Sequence, residues 1–90
     1  MDIRIVFGQN LRRFRLAANL SQEAVAEKMG VDRAHVSSME RGQQNVTLLT
    51  LWQAAQALNC RAKDFLDEDA VKSAKLSATA KAPRRRRTKL

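Results

Sequence analysis

The sequence predicts an all-α protein of five helices followed by a disordered basic C-terminal tail. Three observations carry this expectation. Apolar residues recur at three- and four-residue spacing up to about Leu66, with no alternating strand pattern. Ser, Gly, Asp, Thr and Asn punctuate those stretches where helices start and stop. From residue 70 onward the chain turns to Ala, Lys, Ser and Thr and then to APRRRRTKL, with Leu76 its one weak apolar site. Residues 3–69 therefore read as the folded domain and 70–90 as the tail.

The first helix spans about Ile3 to Ala18. Phe7, Leu11, Phe14 and Ala18 form its buried stripe, and Arg12 and Arg13 point elsewhere. Ser21 is a good N-cap for a second helix, Gln22 to Met29, which Gly30 stops in a left-handed conformation. Asp32 caps a third, Arg33 to Arg41, closed by Gly42. The polar loop Gln43-Gln44-Asn45 follows. Thr47 caps a fourth, Leu48 to Leu58, whose core face holds Leu48, Leu51, Ala55 and Leu58 and whose C-cap is Asn59. A short fifth helix, about Ala62 to Leu66, returns Phe65 to the core. A short helical extension can follow it to about Leu76.

Composition narrows the function. Ninety residues make one domain with a modest core. The net charge of +8 points to an anionic partner. The excess sits in the tail, because residues 1–69 hold nine basic and nine acidic residues. No stretch is long and apolar enough to span a bilayer, and MDIRIVFGQN, with its acidic Asp2 and short apolar run, is not a secretion signal. A single cysteine, Cys60, forms no internal disulfide and fits a reducing cytosol. With His35 it is the only soft ligand, so neither a metal nor a cofactor is expected. One His, one Cys, no Tyr, no phosphate-cradling glycine loop and no evident carboxylate pair argue against an enzyme.

The second and third helices, joined through Gly30-Val31, have the spacing of a helix-turn-helix. Ala26 is small enough for the close crossing, and Val25, Met29, Val31, Val36 and Met39 fill the angle between the helices. At 100° per residue, Val36, Met39 and Glu40 share the inner face of the third helix. The outer face carries Ala34, Ser38 and Arg41, flanked by His35 and Ser37, with Arg33 in the first turn. It is short and polar at its centre, with a long cationic donor at each end. That shape suits the major groove of double-stranded DNA, where Arg bonds both guanine acceptors and a methyl group touches thymine.

The run SQEAVAEKMGVDRAHVSSMERG, followed by NVTLLTLWQAAQALN, resembles the Cro/C1-type (XRE) helix-turn-helix proteins over about residues 7–66. Within that family DRAHVSSMERGQQN is most similar to the small controller proteins of restriction–modification systems. The resemblance implies a lambda-repressor-like five-helix domain. It implies that Gln22 bonds a phosphate and braces the recognition helix, whose base-reading positions are Arg33, Ala34 and Ser38. Ser37, Arg41, Gln43, Gln44 and Asn45 would grip the backbone, with His35 flanking. It also implies an internal Arg15–Glu40 ion pair tying the first helix to the third. Ala34 stands where a polar reader is frequent, His35 where controller-like proteins often carry an aromatic, and Gln44 where a basic residue is frequent. These departures leave the operator sequence open. Arg61 replaces a usual capping Ser or Thr, and Cys60 occupies an aliphatic core position.

One short recognition helix reads too few base pairs for useful specificity, so a homodimer on a palindromic site is expected, its half-sites about one helical turn apart. Trp52, Phe65 and Leu66 are the candidates for its interface. The Arg84, Arg85, Arg86 and Arg87 run would add sequence-independent phosphate binding by counterion release. Two rival readings stand beside this one. In one, the chain is an antitoxin that binds a toxin and represses its own operon. In the other, it coats nucleic acid without sequence preference.

Overall fold

The structure, a computed structural model, describes residues 2–72. Four α-helices and a 3-10 helix follow one another: α1 (Ile3–Ala17), α2 (Gln22–Met29), α3 (Arg33–Glu40), α4 (Leu48–Leu58) and the 3-10 helix (Ala62–Leu66). Residues 68–72 are helical again. No strand occurs among the described residues. The tail and its arginine run, Arg84 to Arg87, lie outside the described residues.

The helix boundaries follow local chemistry. The Asp2 carboxylate accepts from the Arg4 amide at 2.9 Å and starts α1. Ser21 Oγ accepts from the Ala24 amide at 3.0 Å, and Thr47 Oγ1 from the Thr50 amide at 3.0 Å. Gly30 (φ 76°) and Asn59 (φ 55°) end α2 and α4 in the left-handed region. The 3-10 helix is started from inside. The Arg61 side chain has no acceptor to offer as a cap, and the Asp64 carboxylate instead accepts from the Arg61 amide at 3.1 Å.

Helices α1 and α2 pack on α3, the 3-10 helix packs on α1 and α4, and α4 closes the bundle against α2. Phe7, Leu11, Val25, Val36, Met39, Leu51, Ala54, Leu58 and Phe65 fill the space between them. Phe65 lies at the centre, with its ring centroid 5.7 Å from that of Phe7 and 5.3 Å, edge-on, from that of Phe14. Asn10 is fully buried beside it. Its Nδ2 donates to the Phe65 carbonyl at 3.0 Å and the Asp67 carbonyl at 3.1 Å, and its Oδ1 accepts from Arg13. The Arg13 guanidinium stacks on Phe14, 4.4 Å from the ring centroid. The C-terminal turns are thereby locked to α1, with Val71 also buried past them.

Several expectations need correction. Phe65 has no exposed surface and is used inside its own chain, so it is not available to a partner. Leu48 is 84% exposed. Its spacing matches Leu51 and Leu58, but the first turn of α4 overhangs the body, and Leu48 sits at the lip of a groove with Ile3, Phe7, Val46 and Leu66. Ala18 is exposed because α1 ends at Ala17 and the chain swings out through Asn19 (φ 59°). Asp32 holds the N-cap backbone position of α3, but its side chain makes no capping hydrogen bond. Arg41 is the C-cap of that helix, not its last helical residue.

Candidate nucleic-acid interface

The flank of α3 turned away from the core is open. Arg33, Ala34 and Arg41 are exposed, and His35, Ser37 and Ser38 are half-buried. Opposite them, Val36 and Met39 are buried against α1 and α2. His35 and Val36 donate to the Asp32 carbonyl, and with no side-chain cap from Asp32 the amides of Arg33 and Ala34 stay free to meet an acceptor. The centre of the open flank carries a methyl and two hydroxyls, and each end carries a guanidinium. This profile lets a rod lie close to a groove floor.

The surrounding side chains are linked in pairs. Gln22 Oε1 accepts from Arg33 Nη1 at 3.3 Å. Gln44 Nε2 donates to Ser38 Oγ at 3.0 Å. Arg41 donates to Ser37 Oγ, and its Nε and Nη2 both reach Gln43 Oε1, at 3.3 and 3.2 Å. The loop after α3 is thus tied back to that helix by two glutamines. Asn45 is exposed beyond them.

Beneath the flank lies the Arg15–Glu40 pair. Arg15 Nε meets Glu40 Oε2 at 2.6 Å and Arg15 Nη2 meets Glu40 Oε1 at 3.1 Å, a two-pronged contact. Arg15 Nη1 also donates to the Leu20 carbonyl at 2.9 Å, and Gln22 Nε2 donates to Glu40 Oε1 at 3.0 Å. Both charged groups are nearly buried, and each has several partners, which offsets much of the desolvation cost. The pair joins α1 to the end of α3, while Gln22 joins α2 to its start. Helix α3 is therefore gripped at both ends.

Trp52 and Leu66 are exposed, as are Leu48 and Leu49, which stand one turn before Trp52 on α4. Between α1 and α4 runs an apolar groove of about 270 Å³ lined by Ile3, Phe7, Leu48, Leu51 and Leu66. Cys60 is half-buried and its Sγ donates to the Leu58 carbonyl at 3.2 Å. Burial, helped by the Asp64 charge, pushes its thiol above the ordinary value and makes it a poor nucleophile. Among the described residues no group of His, Cys, Asp and Glu could hold a metal ion, and no helix is long and apolar enough to cross a membrane.

Sequence reasoning missed two residues that support this site. Gly8 is buried where α1 touches the end of α3. Asn10 holds the C-terminal turns. The signal for Asn10 was present, since it falls on the stripe between Phe7 and Phe14, where a polar residue has to find partners.

A family model described as helix-turn-helix matches residues 11–65, which contain α2, α3 and the second half of α1 with Arg15. The chain belongs to the helix-turn-helix family. Among its relatives, it is 41% identical over 73 residues to the control protein C.SmaI of Serratia marcescens, covering 81% of this chain and 87% of that one. It is 40% identical over 67 residues to the control protein C.BamHI of Bacillus amyloliquefaciens, covering 73% and 83%. Its fold matches that of the restriction–modification controller protein C.AhdI of Aeromonas hydrophila with a TM-score of 0.67 and 42% identity, over 69% of this chain and 94% of that one. This helix-turn-helix protein is a regulator of the controller type and not an enzyme.

Proposed function

We propose that the protein is a sequence-specific transcriptional regulator that binds a palindromic operator as a homodimer and lays α3 in the major groove. The observation that carries this is the open flank of α3, narrow at its centre and cationic at its ends, on a helix braced from both sides. In this reading Arg33, Ala34 and Ser38 face base edges, while Gln22, Ser37, Arg41, Gln43, Gln44 and Asn45 meet phosphates, with His35 at the margin. The likeness to proteins named as control proteins supports this reading, and a cytoplasmic location goes with it.

The homodimer is proposed through the face that carries Trp52 and Leu66. Both are exposed; Leu48 and Leu49 stand one turn before Trp52 on α4, and Leu66 shares a groove with Leu48, so a monomer would leave several large apolar side chains in water. A two-fold pairing through one such patch is self-complementary and sets two recognition helices at a fixed spacing.

The test is selection of binding sites from random duplexes, followed by salt titration of the selected site against random sequence. The comparison runs between the native chain and one in which Arg84, Arg85, Arg86 and Arg87 are replaced by Gln. A site-specific regulator enriches a palindrome, and the Gln variant keeps its preference while its salt dependence flattens. If the preference disappears with the arginines, binding belongs to the tail and this reading is wrong.

A further inference from the structure

Glu40 meets more than Arg15. Its Oε1 accepts from both Arg15 Nη2 and Gln22 Nε2. An ionised carboxylate only accepts, so it takes the NH2 end of the Gln22 carboxamide and turns the amide oxygen outward. That oxygen accepts from Arg33 Nη1 at 3.3 Å. A guanidinium only donates, so Arg33 requires the oxygen and not the nitrogen. The orientation of the carboxamide is thus fixed by its two neighbours. A glutamine alone would present either end.

We propose that Glu40 is a specificity-positioning residue. Through Gln22 it fixes the direction of the Arg33 guanidinium, which lies at the opposite end of the same helix. Base discrimination at the pair met by Arg33 then depends on a carboxylate that touches no DNA. This inference rests on the base-reading role proposed for Arg33. Its physical basis is preorganisation. Arg33 is exposed on a long flexible stem, and ordering it only on contact would cost side-chain entropy and blur the two-pronged geometry that separates guanine from other bases. A carboxamide already anchored to a buried ion pair removes part of that disorder in advance. Because Arg15 neutralises Glu40, the relay places no uncompensated negative charge near the phosphates.

The experiment uses the full chain and measures affinity for the selected duplex and for its single-base variants at every position. Four variants are compared: Glu40→Gln, Gln22→Met, Arg33→Ala and the double Gln22→Met/Arg33→Ala. Glu40→Gln and Gln22→Met should each lower discrimination about three- to tenfold at one shared base pair, the worth of one hydrogen bond, and leave the other positions unchanged. Arg33→Ala should abolish discrimination at that same pair, and adding Gln22→Met should lower it no further. The Arg33 Nε of the DNA-free Gln22→Met protein should relax as a more mobile group than in the native chain. Gln22→Met leaves the buried ion pair whole, so it carries the test even if Glu40→Gln fails to fold. If Glu40→Gln weakens every duplex by the same factor, Glu40 only holds the fold and the proposal is overturned. The same follows if Gln22→Met keeps full discrimination at that pair. If Arg33→Ala leaves discrimination intact everywhere, the base-reading role itself has failed, which is a separate and recognisable result.

Discussion

Gly8 lies directly against the backbone of Met39: a Cβ on Gly8 would fall 2.3 Å from the Met39 carbonyl oxygen and 2.8 Å from that of Glu40. Neither obstacle is a movable side chain, so any larger residue must push α1 away from the end of α3. That contact is also where Arg15 reaches Glu40, so the push would loosen the ion pair. Gly8→Ala should destabilise the fold by at least about 1–3 kcal/mol, the usual cost of overpacking, despite the better helix propensity of alanine. Urea unfolding measures this. An unchanged midpoint would mean that the two helices separate at no cost.

The Arg15–Glu40 pair predicts an asymmetry between breaking and replacing. Arg15→Met leaves a nearly buried carboxylate without its cation and should cost about 3–5 kcal/mol. Arg15→Met combined with Glu40→Leu removes both charges and should recover most of that loss, because the desolvation cost goes with them. Denaturant titration of the three proteins decides it. Equal instability of the single and double variants would show that the pair stabilises by more than charge compensation.

The helix-turn-helix was legible because each device that builds it is local. Ser21, Gly30, Thr47 and Asn59 each act within one turn of chain, and the 3.6-residue period marks the stripe through Phe7 and Leu11. What failed to show in the sequence depends on distance. Leu48 has the correct spacing for burial, yet nothing local says that the body ends beneath it. Phe65 fits a core or an interface equally well by local sequence, and what decides for the core is its neighbours on α1, far away in sequence. Val71 lies past the boundary drawn at residue 69, because the charge pattern changes before the packing does. The open flank of α3 follows from angle alone and the family resemblance anticipates the Gln22 brace, whereas the Gln44–Ser38 tether depends on how the loop after α3 folds back.

Two arginines at opposite ends of the proposed interface should fail in different ways. Arg33→Ala should cost about 1–3 kcal/mol on the selected site and relax one base position. Arg41→Ala should weaken all sequences alike and reduce the salt slope by about one. Titrations at several salt concentrations separate the two patterns. An equal loss on random duplexes for Arg33→Ala would move that residue to the backbone.

Acid should fray α1 from its start. The Arg4 guanidinium and amide hold the Asp2 carboxyl down to about 2. A carboxyl lowered in the folded state contributes its stability above the unfolded value of about 3.9, and that contribution is lost as the pH falls through the folded value. The Arg4 amide resonance should therefore titrate near pH 2, and Arg4→Gln should move that midpoint upward. A native midpoint near about 4, the ordinary carboxyl value, would show that the cap does not persist in solution.

Trp52 tests the proposed dimer. It is 56% exposed on α4 with Leu48 and Leu49 beside it, so its indole is either held in water or covered by another molecule. A tryptophan anchoring an interface costs at least about 2 kcal/mol when truncated, which raises the dissociation constant some 30-fold. Trp52→Ala should produce that shift in sedimentation equilibrium, and thermal melting at a concentration where both proteins are monomeric should change little, since the side chain is outside the core. Phe65→Ala serves as the contrast: with its ring against Phe7 and Phe14 it should unfold the monomer by about 3–5 kcal/mol. Should Trp52→Ala leave the dissociation constant unaltered, the two-fold axis lies elsewhere on the surface and the spacing of the recognition helices must be derived anew.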